Sequence, residues 1–313
     1  MTEWKILLTD GLNESGQTIL RVAASVDDRP DISAEELLNV VGEYDALVVR
    51  GRTKVTAEVF SAARKLKVVG RAGVGVDNID LEAAKAHGVA VVNAPKSTTL
   101  AVAELTLGLL LAVARSIPRA DCTMKKGDWI KKQLEGVELR GKTLGIIGMG
   151  NIGSALGRMA TGLGMRVVGY DPSYSSEEID ARGAEQVTLR ELFSAADFIS
   201  LHVPLNDSTR SMINAETLGM MKRGVCLVCA ARGGVIDEAA LLEALNSGQV
   251  AAAGLDVFAT EPPGLTALVA HPNVVATPHI GAQTEEAQVR ASEDIATEVL
   301  KALRGEQLRW KVA

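Results

Sequence analysis

Four polar residues in the second half of the chain, Arg232, Asp256, Glu261 and His279, each follow closely on an apolar run that reads as a β-strand. Ligands of wound α/β sheets bind outside the carboxyl ends of strands, so residues in these places are the first candidates for chemistry. Removing hydride from a hydroxyl-bearing carbon requires the hydroxyl proton to leave to a base in the same event. An imidazole, with an unperturbed pKa of ~6.5, suits that exchange near neutrality. His279 is the candidate base. Glu261 is the carboxylate that would fix its tautomer and favour the imidazolium. Arg232 offers a fork of donors to a substrate carboxylate and could polarise the developing carbonyl. Asp256 could hold the carboxamide of a nicotinamide cofactor. In the first half the corresponding strand-end residues are Arg50, Arg71 and the loop Ala72-Gly-Val-Gly-Val-Asp77. The other histidines suit duller roles: His87 a helix C-terminus before Gly88, His202 a strand, and His271 a polar connection. No cluster has metal-ligand spacing, so no metal is expected.

The hydride acceptor is read from Thr143-Leu-Gly-Ile-Ile-Gly-Met-Gly-Asn-Ile-Gly153, a strand that turns through glycines into a helix. Gly148 permits the tight turn, Gly150 lets backbone approach a pyrophosphate, and Gly153 brings the helix, read as Gly153 to Gly164, close to its strand. The helix start aims backbone N–H groups at the anion. Met165 to Tyr170 reads as the next strand, and Asp171 stands at its end where a ribose diol would arrive. A 2′-phosphate there would meet the carboxylate with up to ~4 kcal/mol of repulsion at ~4 Å and an effective dielectric of ~20. Pro172-Ser-Tyr-Ser-Ser-Glu-Glu178 supplies no Arg or Lys to offset it, so NAD is expected rather than NADP.

Positioning these residues takes two sheets. The chain has 313 residues, enough for two domains with full cores, and 47% hydrophobic with 23% charged residues is ordinary for a globular protein. A formal charge of −6 and a pI near 5.4 argue against nucleic acid or an anionic membrane as the main partner. Met-Thr-Glu-Trp-Lys lacks the features of a secretory signal, so a cytoplasmic location is expected. The apolar stretch Leu100 to Ala114 contains Glu104 and is too short to span a bilayer, so it reads as a buried helix at a domain or subunit contact. Cys122, Cys226 and Cys229 fit a reducing compartment. Cys226-Leu-Val-Cys229 lies in a strand, where positions three apart face opposite sides, so both are packing residues.

Trp4 to Thr9, Asp45 to Arg50, Lys67 to Arg71 and Val89 to Val92 read as strands with helices between, one of them opened by the capping box Ser33-Ala-Glu-Glu36. A long helical pattern from Thr98 to about Lys126, interrupted at Pro118, leads to a second alternation. Its strands are Thr143–Ile147, Arg166–Tyr170, Asp197–Leu201, Val225–Cys229, Val250–Asp256 and Asn273–Thr277. The final amphipathic helix, Thr284 to about Leu303, has no following strand of comparable quality in the second half and is expected to cross back to the first. The expected class is α/β with two Rossmann-like domains: a doubly wound parallel-sheet NAD-binding domain over 97–283, and a flavodoxin-like substrate domain built from both chain ends, 1–96 and 284–313.

Along nearly its whole length the chain resembles the D-isomer-specific 2-hydroxyacid dehydrogenase family. The carrying motifs are Arg71-Ala-Gly-Val-Gly-Val-Asp-Asn78, Gly148-Met-Gly-Asn-Ile-Gly153, Ala231-Arg-Gly-Gly-Val-Ile-Asp237, Gly254-Leu-Asp-Val-Phe258 with Glu261-Pro-Pro263, and Pro278-His-Ile-Gly-Ala282. Within the family it is most similar to the members that oxidise 3-phospho-D-glycerate, through Val49-Arg-Gly-Arg-Thr-Lys-Val-Thr56, the Arg71 loop and Pro278 to Thr284. The resemblance implies Arg232, Glu261 and His279 as the catalytic trio. It implies NAD contacts at Val74, Gly148, Gly150, Asn151, Ile152, Gly153, Asp171, Val203, Ala230, Ala231, Arg232, Asp256, His279, Gly281 and Ala282. Substrate contacts are implied at Arg50, Arg71, Gly73, Val74, Gly75, Arg232 and His279. A homodimer around the long helix region, or a larger oligomer, is implied as well. Arg50 and Arg71 suit a substrate carrying a phosphate and a carboxylate, while Lys131 and Lys132 read as solvated charge. Val74 and Val203 stand where some relatives have a hydroxyl residue, which weakens polar contact with the cofactor. The sequence ends at Ala313 without a C-terminal regulatory module, so serine feedback through such a module is not expected. Two other readings stay open: a glyoxylate or hydroxypyruvate reductase, and an NAD-sensing binding module like the C-terminal binding protein corepressors.

Overall fold

Strands covered on both faces are near-continuous apolar runs, and the chain contains two sets of them. The computed structural model describes residues 4–313, which fall into two units: the chain up to Thr98 with Ala282–Ala313, and Thr99–Gly281.

In the first unit the strands are β1 Trp4–Leu8, β2 Ala24–Asp28, β3 Ala46–Val49, β4 Val68–Arg71 and β5 Ala90–Asn93, all parallel in the order β2-β1-β3-β4-β5. This is the flavodoxin-like winding, whose order reverses between β1 and β3. One face packs Leu7, Leu47, Val69 and Val91 against Leu37, Val59 and Phe60; the other packs Ile6, Val48 and Val68 against Ile295, Val299 and Leu303 of the helix Glu285–Arg304. That helix lies so close to β4 that a Cβ on Gly70 would sit 2.6 Å from Val299 Cγ2. The Ser33 capping box forms as the sequence predicts, opening the helix Ala34–Val40.

The second unit holds β6 Thr143–Ile147, β7 Arg166–Tyr170, β8 Glu185–Gln186, β9 Phe198–Leu201, β10 Val225–Cys229, β11 Val250–Leu255 and β12 Val274–Ala276. They pair in parallel in the order β12-β11-β10-β9-β6-β7-β8, the doubly wound dinucleotide-binding arrangement with its switch point between β6 and β9. Cys226 and Cys229 enter the cores on opposite faces of this sheet, and burial pushes both thiols up to about 11.

Several elements differ from the sequence reading. The long helical pattern breaks at Ser116, which takes a left-handed φ of 49°, and Pro118 sits in the first turn of the following helix, Ile117–Lys125, where its missing N–H costs no bond. The glycine-turn helix starts at Asn151, not Gly153, because Gly150 is its N-cap. β2 and β8 were not foreseen; both are edge strands, Ala-Ser-Val-Asp-Asp and Glu-Gln, with little apolar content to announce them.

The last residues also form an unforeseen element. Val91 N–H donates to the Ala313 carbonyl at 3.0 Å, Val312 N–H donates to the Val91 carbonyl at 2.7 Å, and Lys311 bridges Val92 in antiparallel sense at the edge of β5. Glu298, only 2% exposed, ties this tail down by accepting from Arg309 N–H at 2.7 Å, Trp310 N–H at 3.0 Å and Lys301 Nζ at 2.8 Å. Burial works against the charge, but those donors outweigh it and hold the Glu298 carboxyl below its ordinary range. Glu298→Ala should cost about 2–3 kcal/mol in urea unfolding at neutral pH. Because the folded-state value is depressed, the contribution is complete above the unfolded carboxyl's range and is lost as pH falls through the folded value. The stability gap between wild type and variant should therefore narrow on acidification, and a constant gap would show that the charge is not the source.

Candidate active site

Arg232, Asp256, Glu261 and His279 each lie in a loop leaving a strand's carboxyl end. The β11 and β12 loops meet at His279. Its Nδ1 is 2.7 Å from Glu261 Oε2, and Glu261 Oε1 accepts the Phe258 N–H at 3.0 Å. A carboxylate only accepts, so Nδ1 carries the proton and Nε2 is left to exchange one with a ligand. His279 has φ 52°, a left-handed conformation that a residue with a side chain rarely adopts. Its N–H is held by the carbonyls of Asp256 at 2.9 Å and Thr277 at 3.0 Å, and the side chain stays half exposed.

Asp256 shapes that loop. It is 1% exposed, and its carboxylate accepts from Thr277 Oγ1 at 2.6 Å, Ile280 N–H at 2.9 Å and Gly281 N–H at 2.9 Å. The sequence suggests a carboxamide holder here; in the structure the same carboxylate also organises the loop that carries His279. The β10 loop, with Ala230 buried and Ala231 and Arg232 half-buried, abuts the β11 loop. A Cβ on Gly233 would lie 1.8 Å from the Phe258 carbonyl oxygen, so only glycine fits between Arg232 and the segment leading to Glu261. Arg232 Nη1 donates to the Ala231 carbonyl at 2.7 Å.

The glycine turn follows β6. Gly148 takes φ 96°, and a Cβ there would meet the His202 carbonyl oxygen at 2.4 Å; a Cβ on Gly153 would meet the Gly148 carbonyl oxygen at 2.1 Å. Gly150, by contrast, has nothing within 4 Å of a Cβ position, and it caps the helix Asn151–Gly162, which begins with Asn151 and Ile152. An open approach to backbone N–H groups at a helix start is what a pyrophosphate needs, so these residues fit a dinucleotide. Asp171, at the end of β7, accepts from Met149 N–H through Oδ2 and from Ser173 N–H through Oδ1, both at 2.9 Å. Val203 packs beside Gly148. His202 points its Nε2 at Ser200 Oγ, 2.9 Å away, and burial of the ring pushes it down to about 4, so it is neutral at physiological pH. His87 caps a helix and His271 accepts Asn273 N–H in a turn.

In the first unit, Arg50 follows β3 and Arg71 ends β4, on neighbouring strands where Val49 pairs with Arg71. The Arg71 guanidinium folds over Gly73, whose Cβ would sit 1.5 Å from Nη1. Asn93 Nδ2 donates to the Val74 carbonyl at 2.7 Å, which fixes the loop containing Gly75, and Ala282 begins the return into this unit. Asp10, which the sequence reading passed over, and Asn78, quoted there only within the Arg71 motif, set the Arg50 loop. Asp10 accepts Arg50 N–H at 2.7 Å and Thr53 N–H at 3.1 Å, while Asn78 Nδ2 donates to the carbonyls of Arg50 at 3.0 Å and Thr53 at 2.6 Å. Asp10 follows β1, so the strand-end rule would have found it. Lys131 and Lys132 lie in an exposed turn. Among the described residues no group of His, Cys, Asp or Glu could hold a metal ion.

Residues 107–281 match the family described as D-isomer specific 2-hydroxyacid dehydrogenase, NAD binding domain. Over 303 residues the chain is 50% identical to a D-3-phosphoglycerate dehydrogenase of Methanocaldococcus jannaschii, covering 96% of this chain and 58% of the relative. It is 48% identical over 305 residues to that of Rattus norvegicus, covering 97% and 57%. The chain thus spans little more than half the length of these relatives. Among solved structures, a glyoxylate reductase from Paecilomyes thermophila superposes with a TM-score of 0.91 at 30% identity, covering 100% of this chain and 99% of the other. The D-lactate dehydrogenase of Escherichia coli gives 0.87 at 28%, covering 99% and 100%.

Proposed function

Because the chain belongs to the D-isomer specific 2-hydroxyacid dehydrogenase family, we propose that it oxidises 3-phospho-D-glycerate to 3-phosphohydroxypyruvate with NAD, the first step of L-serine biosynthesis. The observation that carries this reading is the His279–Glu261 pair, on the same sheet edge as the glycine turn. NAD, when bound, supplies the hydride acceptor. Residues Gly148 to Gly153 hold its pyrophosphate and Asp171 its ribose diol. His279 Nε2 takes the hydroxyl proton as hydride leaves the carbon, and Glu261 stabilises the imidazolium through Nδ1. Arg232 grips the substrate carboxylate and polarises the new carbonyl. Arg50 and Arg71, with Gly73 to Gly75, supply positive charge and backbone N–H groups to a substrate carrying both phosphate and carboxylate.

The same reading includes a homodimer in the cytoplasm. Along residues 99–130, Leu100, Leu111, Ile117, Met124 and Trp129 are all exposed, Trp129 to 77%, apolar side chains that suit burial against a second copy of this unit. Cys226 and Cys229 are buried and unpaired and Cys122 is exposed, which suits a reducing compartment. Among the described residues no single helix is long and apolar enough to cross a membrane.

Turnover of a panel of 2-oxo acids with NADH tests the substrate. Phosphohydroxypyruvate should exceed hydroxypyruvate, glyoxylate and pyruvate in kcat/KM by ~10-fold or more, because a site built for a phosphate leaves its cations unmatched by the smaller acids. Faster reduction of hydroxypyruvate or glyoxylate would favour the reductase reading, in line with the glyoxylate reductase neighbour. Binding of NADH with no turnover of any of them would favour the corepressor-like module.

A further inference from the structure

Arg182 closes the helix Ser176–Ala181, and its guanidinium lies 3.9 Å from the centre of the Tyr174 ring with Nη1 3.3 Å from the Met149 carbonyl oxygen. Met149 is the middle residue of Gly148-Met-Gly150, and its N–H is the one held by Asp171 Oδ2. The carboxylate and the guanidinium therefore grip the same residue of the glycine turn, one at its N–H and the other at its carbonyl. The segment after Asp171 contains no cation, but the fold brings one back from the far end of the next helix. Both Asp171 oxygens already accept backbone N–H groups, so the carboxylate is oriented and partly screened. A guanidinium stacked on an aromatic ring is pre-organised and still directs N–H groups from its edge, the geometry that recognises a phosphate.

Resting on the NAD reading, we propose that Arg182 is a second determinant of cofactor choice. It is a cation held on the same turn residue as the ribose-binding carboxylate, and it accepts a 2′-phosphate once the Asp171 charge is removed. In the unaltered chain the Asp171 charge outweighs Arg182, so NADP is rejected although a partner for the phosphate is already in place.

Calorimetric titration of the full chain with 5′-ADP and 2′,5′-ADP tests this without turnover. Asp171→Asn should raise the affinity for 2′,5′-ADP by about tenfold or more. Asp171→Asn with Arg182→Gln should lose that gain while binding 5′-ADP as Asp171→Asn does, and Asp171→Asn with Arg182→Lys should keep most of it. The proposal is overturned if Asp171→Asn shows no gain, if the Arg182→Gln double variant keeps it, or if that variant loses both nucleotides in parallel, which would make Arg182 a support of the turn. Failure of the wild-type chain to bind NADH would instead remove the NAD reading itself.

Discussion

His279→Ala should lower kcat for the oxo-acid reduction by ~10²-fold or more while NADH still binds with near-normal affinity. The geometry gives the reason for the split. The imidazole is held at Nδ1 by Glu261, 2.7 Å away, and its other nitrogen, Nε2, has no hydrogen-bond partner among the described residues, whereas the pyrophosphate elements lie in a different loop, after β6. Removing the ring thus removes the proton exchange and leaves the dinucleotide's anchor intact. Glu261→Gln should lose less, because the amide can still accept from Nδ1–H but no longer neutralises the imidazolium. Stopped-flow binding of NADH beside steady-state turnover separates the two effects. A His279→Ala enzyme turning over within a few fold of wild type would take His279 out of the chemistry.

Asp256→Asn should be nearly as damaging, by another route. Three donors converge on a carboxylate that is 1% exposed, and an amide in its place presents N–H groups to the N–H of Ile280 or Gly281. A buried donor left facing a donor costs about 2–4 kcal/mol here, since the bonds lost were to a charge. The strained backbone of His279 depends on this loop, so turnover should fall by ~10²-fold through misplacement of the imidazole. Urea unfolding and kcat measured on the same preparation check both halves. Full stability with full turnover would show that the loop keeps its shape without the charge.

What could be read in advance depended on how far a contact runs along the chain. The glycine turn was legible because its parts lie within six residues and each glycine answers a local need, a positive φ at Gly148 and a close approach at Gly153. The alternation of apolar runs and helices was enough to give two parallel sheets, although not their polar edge strands, Ala24–Asp28 and Glu185–Gln186. Glu261 and His279 could be paired because the strand-end rule selects both. Arg182, and the hold of Asp10 and Asn78 on the Arg50 loop, escaped because the partners are distant in sequence and follow no periodic pattern. Asp256 was visible as a residue, but its bonds to Thr277, Ile280 and Gly281 were not, because a carboxylate after a strand looks the same whether or not donors of its own loop converge on it.

The frame around Arg50 bears on how this architecture changes its diet. Asp10 and Asn78 clasp the main chain of Arg50, at its N–H and its carbonyl, and neither touches the side chain through those bonds. Position 50 is therefore a socket whose backbone is indifferent to the residue it carries. If Arg50 holds the substrate as proposed, a descendant could trade the guanidinium for a shorter or neutral group, and so turn to smaller or uncharged acids, without refolding the loop.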